Sequence, residues 1–522
     1  MAEIDMARFD RLFRALGEQG LSRLQSSVVS VIFDSDAGKY FGLPFAMAGV
    51  PVRLISSSAL SPNELVIDVK PDNADNGTNA SDNASRNLRA HAYASAFGRF
   101  NLRNDLAVGI VGELGYRNME TLLGGSNIII DCTSNPRSKQ SALDFALKHG
   151  SIYLSAAVIP GYGKLELSCE LSSQPTESIL MDGLGELEKK FFEEINGTAK
   201  DPAEHAALVR SANATKELIA MFLGGIAADE IVRALIGKEE VLDQQLHFKF
   251  GYGSEMFDPL RFGERLKTLD ILDMQDKAAL FFGVGGVGTN AGYALARAGI
   301  GRADALDNDR VDLTNVLRTL FYHDRVNVEK AIAFAQKIPV ISGGRTASTG
   351  FYQKLSEGTD GLILPRRYDV YVDGFDTFGA RRLAATRAEQ DETPIITASG
   401  RYDGFDVEAY APGRTLCVDC NFRLGELAAK ELAEASKRQS CGAEYTPQNS
   451  WINQSVGAIV AATVASTFRP DKYGEPVNGM IFYDPMLPAR LFVNTKHGKC
   501  AKSEGKVGGL LHNMDGVTQD AK

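Results

Sequence analysis

The chain has 522 residues, 44% of them hydrophobic, which is enough for two to four domains with full-sized cores. Its formal net charge of −10 argues against nucleic acid as the main partner, because no excess of basic residues is available to neutralise phosphates. The six cysteines are widely spread, the acidic N-terminus lacks a secretory signal pattern, and no apolar run reaches membrane-spanning length. We therefore predict a cytoplasmic globular protein with no nucleic-acid or membrane partner.

A glycine-rich turn in the second half is the most informative motif. An apolar run beginning at Leu280 ends in Gly283-Val284-Gly285-Gly286-Val287-Gly288, and a helix of small residues is expected from about Thr289 to Ala298. Strand, turn and helix in this order bind phosphate, because glycines admit the anion close to the backbone and the helix N-terminus directs N–H groups at it. By itself this pattern fits an oxidoreductase or any other nucleotide-binding protein.

The first half contains a copy of this pattern that lacks the glycines. An offset of 250 residues aligns Gly38 with Gly288 but places Phe33, Ser35 and Asp36 where the second copy has glycine. Acidic residues at a phosphate turn would repel a polyphosphate. We therefore predict that the first half binds no nucleotide.

A second pair of segments, 128–135 and 370–377, supports a duplication at the similar offset of 242 residues (Asp131 to Asp373). Each is a buried strand that ends in polar residues, at the edge where open α/β sheets bind their ligands. The first copy has Ser134 where the second has Asp376. The predicted fold is α/β, with a degenerate domain at 1–250 that carries a helical insert at about 175–215, an active domain at 251–502 and a flexible tail at 503–522.

Charged and polar residues follow the glycine turn at a spacing found in a known family. They are Asp307, Asp309, Asn315, Arg318, Lys330 and Asp376. With the glycine turn, they resemble the adenylation domain of the ubiquitin-activating enzyme superfamily (E1-like, ThiF/MoeB), which includes bacterial activators of sulfur-carrier proteins. The resemblance implies that Asp307 holds the ribose of ATP, that Asn315, Arg318 and Lys330 bind the phosphates, and that Asp376 positions Mg²⁺.

Residues 8–17 are similar to the opening motif of the same family. In that family the second arginine of the motif reaches across a dimer into the partner's ATP site. The resemblance therefore implies that Arg11 serves the nucleotide held by the second half. The alternative is a surface arginine on an amphipathic helix.

Two pairs of metal-ligand residues occur near the end of the chain. Cys417 and Cys420 form a C-x-x-C pair, and His497 and Cys500 form an H-x-x-C pair. Such pairs can close a tetrahedral structural zinc site. Related enzymes use two C-x-x-C pairs, so the histidine either serves as a ligand or marks the loss of zinc.

Cys441 lies between these pairs, where family members that form a thioester place their nucleophile. Its polar, glycine- and proline-containing surroundings argue against burial, although a free cysteine is commonly buried and inert. Cys132 and Cys169 fall in strand-like runs and are predicted to be core residues.

The resemblance as a whole implies a single-chain activating enzyme, a pseudo-dimer of two tandem Rossmann-like adenylation domains. It would adenylate the C-terminal glycine of a ubiquitin-like protein with ATP and Mg²⁺, form a thioester at Cys441 and transfer the protein to a conjugating enzyme. The alternative is adenylation of a sulfur-carrier protein or peptide without a thioester. A non-catalytic binding module is a third possibility, which would show no ATP–pyrophosphate exchange.

Overall fold

The computed structural model describes residues 3–58, 89–101, 106–112, 114, 117–169, 184–238, 246–249, 274–356, 367–419, 424–437, 449–486 and 491–495. Within them the chain forms two mixed, mostly parallel sheets, one in each half. This confirms the predicted α/β class.

The first half forms a seven-stranded sheet in the order β3-β2-β1-β4-β5-β6-β7. Its strands are β1 Val29–Phe33, β2 Val52–Ser56, β3 Ala107–Val111, β4 Ile128–Cys132, β5 Ile152–Ile159, β6 Tyr162–Ser168 and β7 Leu246–Lys249. The first five strands in this order, which are β3, β2, β1, β4 and β5, run parallel to one another. β6 pairs antiparallel with β5, and β7 pairs antiparallel with β6. β1 is buried throughout, as expected of a parallel strand covered on both faces.

The second half forms an eight-stranded sheet in the order β10-β9-β8-β11-β12-β13-β14-β15. Its strands are β8 Ala278–Phe282, β9 Arg302–Asp307, β10 Gly350–Tyr352, β11 Val370–Asp373, β12 Ile395–Arg401, β13 Gly404–Tyr410, β14 Gly479–Tyr483 and β15 Leu491–Thr495. Five parallel strands are again followed by antiparallel ones. The strand order of the first sheet is therefore repeated, with one more antiparallel strand.

Helices cover the faces of both sheets. Those of the first half are α1 Glu3–Gln25, α2 Lys39–Met47, α3 Arg89–Asn101, α4 Met119–Leu123, α5 Pro136–His149, α6 Leu184–Thr198 and α7 Pro202–Leu235. Those of the second half are α8 Gly286–Arg297, α9 Leu313–Val316, α10 Lys330–Ile341, α11 Phe378–Gln390, α12 Leu424–Lys437, α13 Ser450–Phe468 and α14 Pro470–Tyr473.

Local sequence sets several helix ends. α5 begins where the side chain of Asn135 accepts hydrogen bonds from the N–H groups of Arg137 and Ser138, with Pro136 at the first helical position, and it ends at left-handed Gly150. α7 begins in the same way, with Asp201 as its cap and Pro202 next. α1 bends at Gly17, whose φ of 70° leaves the helix region and separates the segment carrying Arg11 from the rest.

The two halves meet through α7 and α13, which are buried along most of their length. Both helices use glycine to approach a neighbouring backbone closely. A Cβ on Gly224 of α7 would lie 2.4 Å from the carbonyl oxygen of Tyr40 in α2, and one on Gly457 of α13 would lie 2.6 Å from that of Asn290 in α8. Across the interface, Gln454 donates to the carbonyl oxygens of Tyr40 and Met221. The two sheets thus share one central helical layer.

Most predicted elements form, with shifted limits. The helix after the glycine turn begins at Gly286 rather than Thr289, so the turn residues themselves make its first N–H groups. Asn196 and Gly197 lie in the last turn of α6. Cys132 and Cys169 are partly buried against the core. No helix in the described part of the chain is long and apolar enough to cross a membrane.

Candidate active site

The glycine turn lies at the carboxyl edge of the second sheet, between β8 and α8. Gly283 has a φ of 81°, and a Cβ there would lie 3.1 Å from the amide nitrogen of Phe375. A Cβ on Gly288 would lie 2.0 Å from the carbonyl oxygen of Gly283, so both positions require glycine. At Gly285 a Cβ would meet nothing within 4 Å. The turn is therefore tightly packed on the protein side, and the space beside Gly285 is open.

Asp307 ends β9 and holds this turn in place. Its Oδ2 accepts the N–H of Val284 at 2.8 Å, and its Oδ1 accepts the N–H of Asp309 at 2.8 Å. Burial raises the pKa of this carboxyl group, and Lys330 partly opposes the effect. A ribose contact, as predicted for Asp307, would use oxygen lone pairs that these backbone bonds leave available.

Asn315 and Arg318 follow on the short helix α9. Asp312 caps this helix, and Asn315 closes a capping box by accepting the N–H of Asp312. Asn315 is 0% exposed, and among the described residues its Nδ2 has no hydrogen-bond partner. Buried donors are normally satisfied, so this amide is suited to a bound acceptor. The backbone of Arg318 is fixed because its carbonyl oxygen accepts from Asn290 Nδ2 at 2.9 Å.

Lys330 and Asp309 form an ion pair at the rim, with Nζ and Oδ2 2.9 Å apart. Lys330 begins α10 and is largely buried, whereas Asp309 is exposed. The hydroxyl of Tyr322 joins this helix to the glycine turn, because it lies 3.0 Å from the carbonyl oxygens of both Val284 and Lys330. Lys330 is thereby held beside the turn with a partner that faces solvent.

Asp376 follows β11 on the other side of the turn. Gly374, two residues earlier, donates its N–H to the carbonyl oxygen of Phe282 at 2.8 Å, which brings the β11 end against the glycine turn. Asp376 itself is exposed and free to meet a ligand or a hydrated cation. The buried carboxylate at this edge is instead Asp373, where burial raises the pKa to about 6 and Arg381 opposes the effect.

Arg11 lies at the same site although it belongs to the first half. A shallow cleft is lined by Arg11, Leu12, Ala48, Thr314, Leu317, Arg318, Asn449, Ser450 and Trp451. The structure therefore brings two arginines from opposite halves onto one cleft. Their cationic side chains favour an anionic ligand there.

The corresponding edge of the first sheet is arranged differently. The carboxylate of Asp34 accepts hydrogen bonds from both the N–H and the hydroxyl of Ser134, each at 2.9 Å. At the predicted offsets these two residues correspond to Val284 and Asp376. In the first half, the side chains at the ligand edge are thus bonded to each other.

Of the predicted zinc ligands, only Cys417 lies within the described residues, and it is 3% exposed. Leu416 precedes Cys417, and its N–H donates to the side chain of Asn478. Gly479, which follows Asn478, pairs with Thr495 in β15. Thr495 precedes His497 by two positions. Cys417 and the end of β15 therefore share one edge of the sheet. Cys420, His497, Cys500 and the predicted nucleophile Cys441 lie outside the described residues.

Three residues at the site were not predicted from the sequence: Asn290, Tyr322 and Asn453. Asn453 lies between the glycine turn and β12, where its Nδ2 is 2.5 Å from the position of a Cβ on Gly286. It also donates to the carbonyl oxygen of Arg318 at 3.4 Å. The polar pair Asn453-Gln454 in an otherwise apolar helix was the available signal, because buried amides need specific partners.

Comparison with known proteins identifies the second half. Residues 261–501 match the ThiF family. Adenylyltransferase and sulfurtransferase MOCS3 of Anopheles gambiae is 32% identical over 129 residues, which cover 24% of this chain and 29% of that protein. Ubiquitin-like modifier-activating enzyme 5 of Drosophila grimshawi is 29% identical over 160 residues, which cover 28% of this chain and 40% of that protein.

Among solved structures, E. coli MccB with ATP is 18% identical, with a TM-score of 0.37 over 60% of this chain and 77% of that one. The chain spans about a third to a half of the length of the curated relatives it matches. Residues 261–501 of the chain thus form a region that matches the ThiF family.

Proposed function

We propose that this protein is an adenylyltransferase that uses ATP to activate the C-terminal carboxylate of a ubiquitin-like or sulfur-carrier protein, or of a peptide. The observation that carries the proposal is the cleft lined by Arg11 and Arg318 from the two halves, together with the Arg318 side chain, whose Cδ would lie 3.5 Å from a Cβ on Gly286 of the glycine turn. Names of the matched relatives agree with it, since they include adenylyltransferases and an activating enzyme of a ubiquitin-like modifier.

The residues present fit a nucleoside triphosphate. The first turn of α8 offers N–H groups and a positive dipole end, and open space lies beside Gly285. Asn315 supplies a buried donor, and Arg11 and Arg318 supply charge. The substrate carboxylate would attack the α-phosphorus, the bond to the bridging oxygen would break, and pyrophosphate would leave with its charge balanced by these cations. Asp376 would hold Mg²⁺, which neutralises the pyrophosphate.

ATP–pyrophosphate exchange with a candidate carrier protein tests this proposal. Arg318→Ala and Arg11→Ala should each lower exchange by about 100-fold, the usual effect of removing one group that stabilises developing charge. Arg14→Ala is the matched control for Arg11, because Arg14 lies one turn further along α1 and makes an exposed ion pair with Asp10. Ser134→Ala is the control in the first half. An Arg11→Ala protein as active as Arg14→Ala would contradict the assigned role.

The second proposed step is a thioester at Cys441, followed by transfer to a conjugating enzyme. Cys441 precedes Asn449 by eight residues, and Asn449 lines the cleft. Since eight extended residues span at most about 28 Å, the length of this segment allows Cys441 to reach the cleft region. Its thiolate would displace AMP from the acyl-adenylate.

Non-reducing electrophoresis after incubation with ATP, Mg²⁺ and the carrier distinguishes this step from adenylation alone. A thiol-sensitive adduct should appear in the wild type and be lost in Cys441→Ala, while pyrophosphate exchange is retained. An adduct that survives this substitution contradicts the choice of nucleophile. Exchange without any adduct favours the alternative, in which a carrier or peptide is adenylated without a thioester.

We also propose a structural zinc ion bound by Cys417, Cys420, His497 and Cys500. The placement of buried Cys417 at the same sheet edge as Thr495 supports it. Metal analysis of the purified protein should give about one zinc per chain, lost in Cys417→Ser. Zinc content unchanged by that substitution would contradict the assigned ligand set.

A further inference from the structure

Trp451 is the only tryptophan of the sequence and it forms part of the cleft wall. It stands in the first turn of α13 and lines the cleft together with Arg11 and Arg318. Its side chain is 2% exposed, so the ring is held within the wall. The position of this ring therefore affects the shape of the cleft.

The ring is held by a residue of the first half. The indole Nε1 of Trp451 donates to Oδ1 of Asp229 at 3.0 Å, and the hydroxyl of Tyr483 donates to Oδ2 at 2.9 Å. Asp229 belongs to α7, and Tyr483 ends β14. One carboxylate thus joins α7 to both α13 and the second sheet. Hydrogen bonds to a charged carboxylate are about twice as strong as neutral ones.

The backbones around this contact are closely packed. Gly225 lies one helical turn before Asp229, and a Cβ there would lie 2.2 Å from the carbonyl oxygen of Trp451 and 2.2 Å from the hydroxyl of Ser455. The distance between α7 and the start of α13 is therefore fixed. The side-chain bond to Asp229 then sets the direction of the indole ring.

Several charged or titratable groups act on Asp229. On α7 they are Glu230 and Arg233, on β14 the group is Tyr483, and α13 contributes the neutral indole of Trp451. Burial raises the pKa of Asp229, and the negative charge of Glu230 adds to the effect, which brings it to about 7. The strength of the bond to Trp451 therefore changes near neutral pH.

We propose that Asp229 is a positioning residue for the cleft: from the first half of the chain, it orients Trp451 so that the cleft accepts the nucleotide. The proposal rests on the proposed function in taking ATP as the ligand. Charged Asp229 should hold the ring firmly and support binding, whereas neutral Asp229 should bind the ring less firmly and weaken nucleotide affinity.

Tryptophan fluorescence of the full chain without nucleotide tests the contact directly. The emission of the wild type should change in one transition near pH 7, because the only indole donates to a carboxylate that titrates there. Asp229→Asn keeps the shape of the side chain and should abolish this transition. Asp131→Asn is the matched control, because it removes a buried carboxylate of the first half that bonds to Thr133 rather than to the cleft. Without a transition in the wild type, the proposal fails.

Equilibrium binding of α,β-methylene ATP with Mg²⁺ tests the effect on the cleft. The Kd ratio of Asp229→Asn to wild type should be about five at pH 8.5 and about one at pH 5.5. The protonation state of the nucleotide affects both Kd values equally at a given pH, so it does not change this ratio. Trp451→Phe keeps an aromatic ring without the N–H donor and should give the same ratio at pH 8.5. Asp131→Asn should give a ratio of about one at both values.

A ratio that is one throughout, or equally large at both pH values, overturns the positioning role, since general structural damage would not follow the charge of Asp229. A wild type that binds the analogue but shows no pyrophosphate exchange refutes the proposed function and leaves this ratio measurable. A wild type that does not bind the analogue refutes both.

Discussion

Glu217 is predicted to be a major source of stability at the junction of the two halves. It belongs to α7, and its side chain accepts from Lys39 Nζ at 2.7 Å and from Arg297 Nε at 2.6 Å. Lys39 begins α2 in the first half and Arg297 ends α8 in the second. The three charges are buried together, so each depends on the others for compensation.

The size of the effect follows from the pKa. Burial alone would raise the pKa of Glu217, but Arg297 and Lys39 lower it from 4.5 to about 2. At 1.36 kcal/mol per unit, this shift corresponds to about 3 kcal/mol of stability above pH 5. Because the folded-state pKa is depressed, this stability is present above the unfolded pKa and is lost as the pH falls from about 4.5 towards 2.

Glu217→Gln should therefore lower the free energy of unfolding at pH 7 by about 3 kcal/mol, measured by urea denaturation. Glu188→Gln is the matched control, because Glu188 pairs at 2.7 Å with Lys216, the residue next to Glu217, but in a more exposed position. It should cost less than about 1 kcal/mol. Adding Lys39→Met to Glu217→Gln should recover part of the loss by removing an uncompensated buried charge. Equal losses for the two single substitutions would refute the reasoning.

Three further predictions concern the site and the junction. Gly288→Ala should lower the free energy of unfolding by more than about 2 kcal/mol, because the new Cβ would lie 2.0 Å from a carbonyl oxygen. Gly197→Ala should not lower it, because a Cβ at Gly197 would meet nothing within 4 Å. Equal urea midpoints for the two variants would contradict this prediction. Tyr322→Phe should weaken ATP-analogue binding and cost about 1 to 3 kcal/mol, since two backbone carbonyls lose their shared donor; unchanged binding and stability would exclude this role. Because the folded-state pKa of Asp229 is raised, its stabilising contribution is complete below about pH 4 and is lost as the pH rises through about 7, by as much as about 4 kcal/mol. Asp229→Asn should therefore flatten the dependence of the free energy of unfolding on pH over this range, measured by urea denaturation. A pH dependence parallel to that of the wild type would contradict this prediction.

The sequence predicts those parts of the site that are local in the chain. The glycine turn, the strand that ends in Asp307 and the helix start at Lys330 each depend on a short pattern of residue types with a direct backbone consequence. Strand order follows from the duplication together with the rules for parallel α/β sheets. Arg11 lines a cleft together with Arg318 of the second half, and the nucleotide role that the family resemblance implies for it stays a prediction.

Contacts between the halves could not be read from the sequence. Trp451 and Asp229 are separated by 222 residues, and Arg297 and Glu217 by 80. Both acidic residues lie in α7, whose apolar and small residues surround the helix rather than forming one stripe. Periodicity therefore indicates burial but cannot tell which neighbour each polar side chain meets. Only the crossing of α7 with α13 and α8 determines the partners.

One buried side-chain contact recurs at equivalent positions in the two halves. In the first half, Lys139 donates to the carbonyl oxygen of Ala156, beside buried Asp131. In the second half, Arg381 donates to that of Ala398, beside buried Asp373. All three positions are related by the same offset of 242 residues (Asp131 to Asp373, Lys139 to Arg381, Ala156 to Ala398).

The differences between the copies are found at the ligand edge instead. There, Asp34 and Ser134 bond to each other, whereas Asn315 in the second half keeps a buried donor without a partner among the described residues. The Asp34–Ser134 bonds are exposed to solvent, so these side chains need no ligand to satisfy them. The first half nevertheless contributes side chains around the cleft that Arg318 of the second half lines. It supplies Arg11 to the cleft, and its Asp229 accepts a hydrogen bond from Trp451.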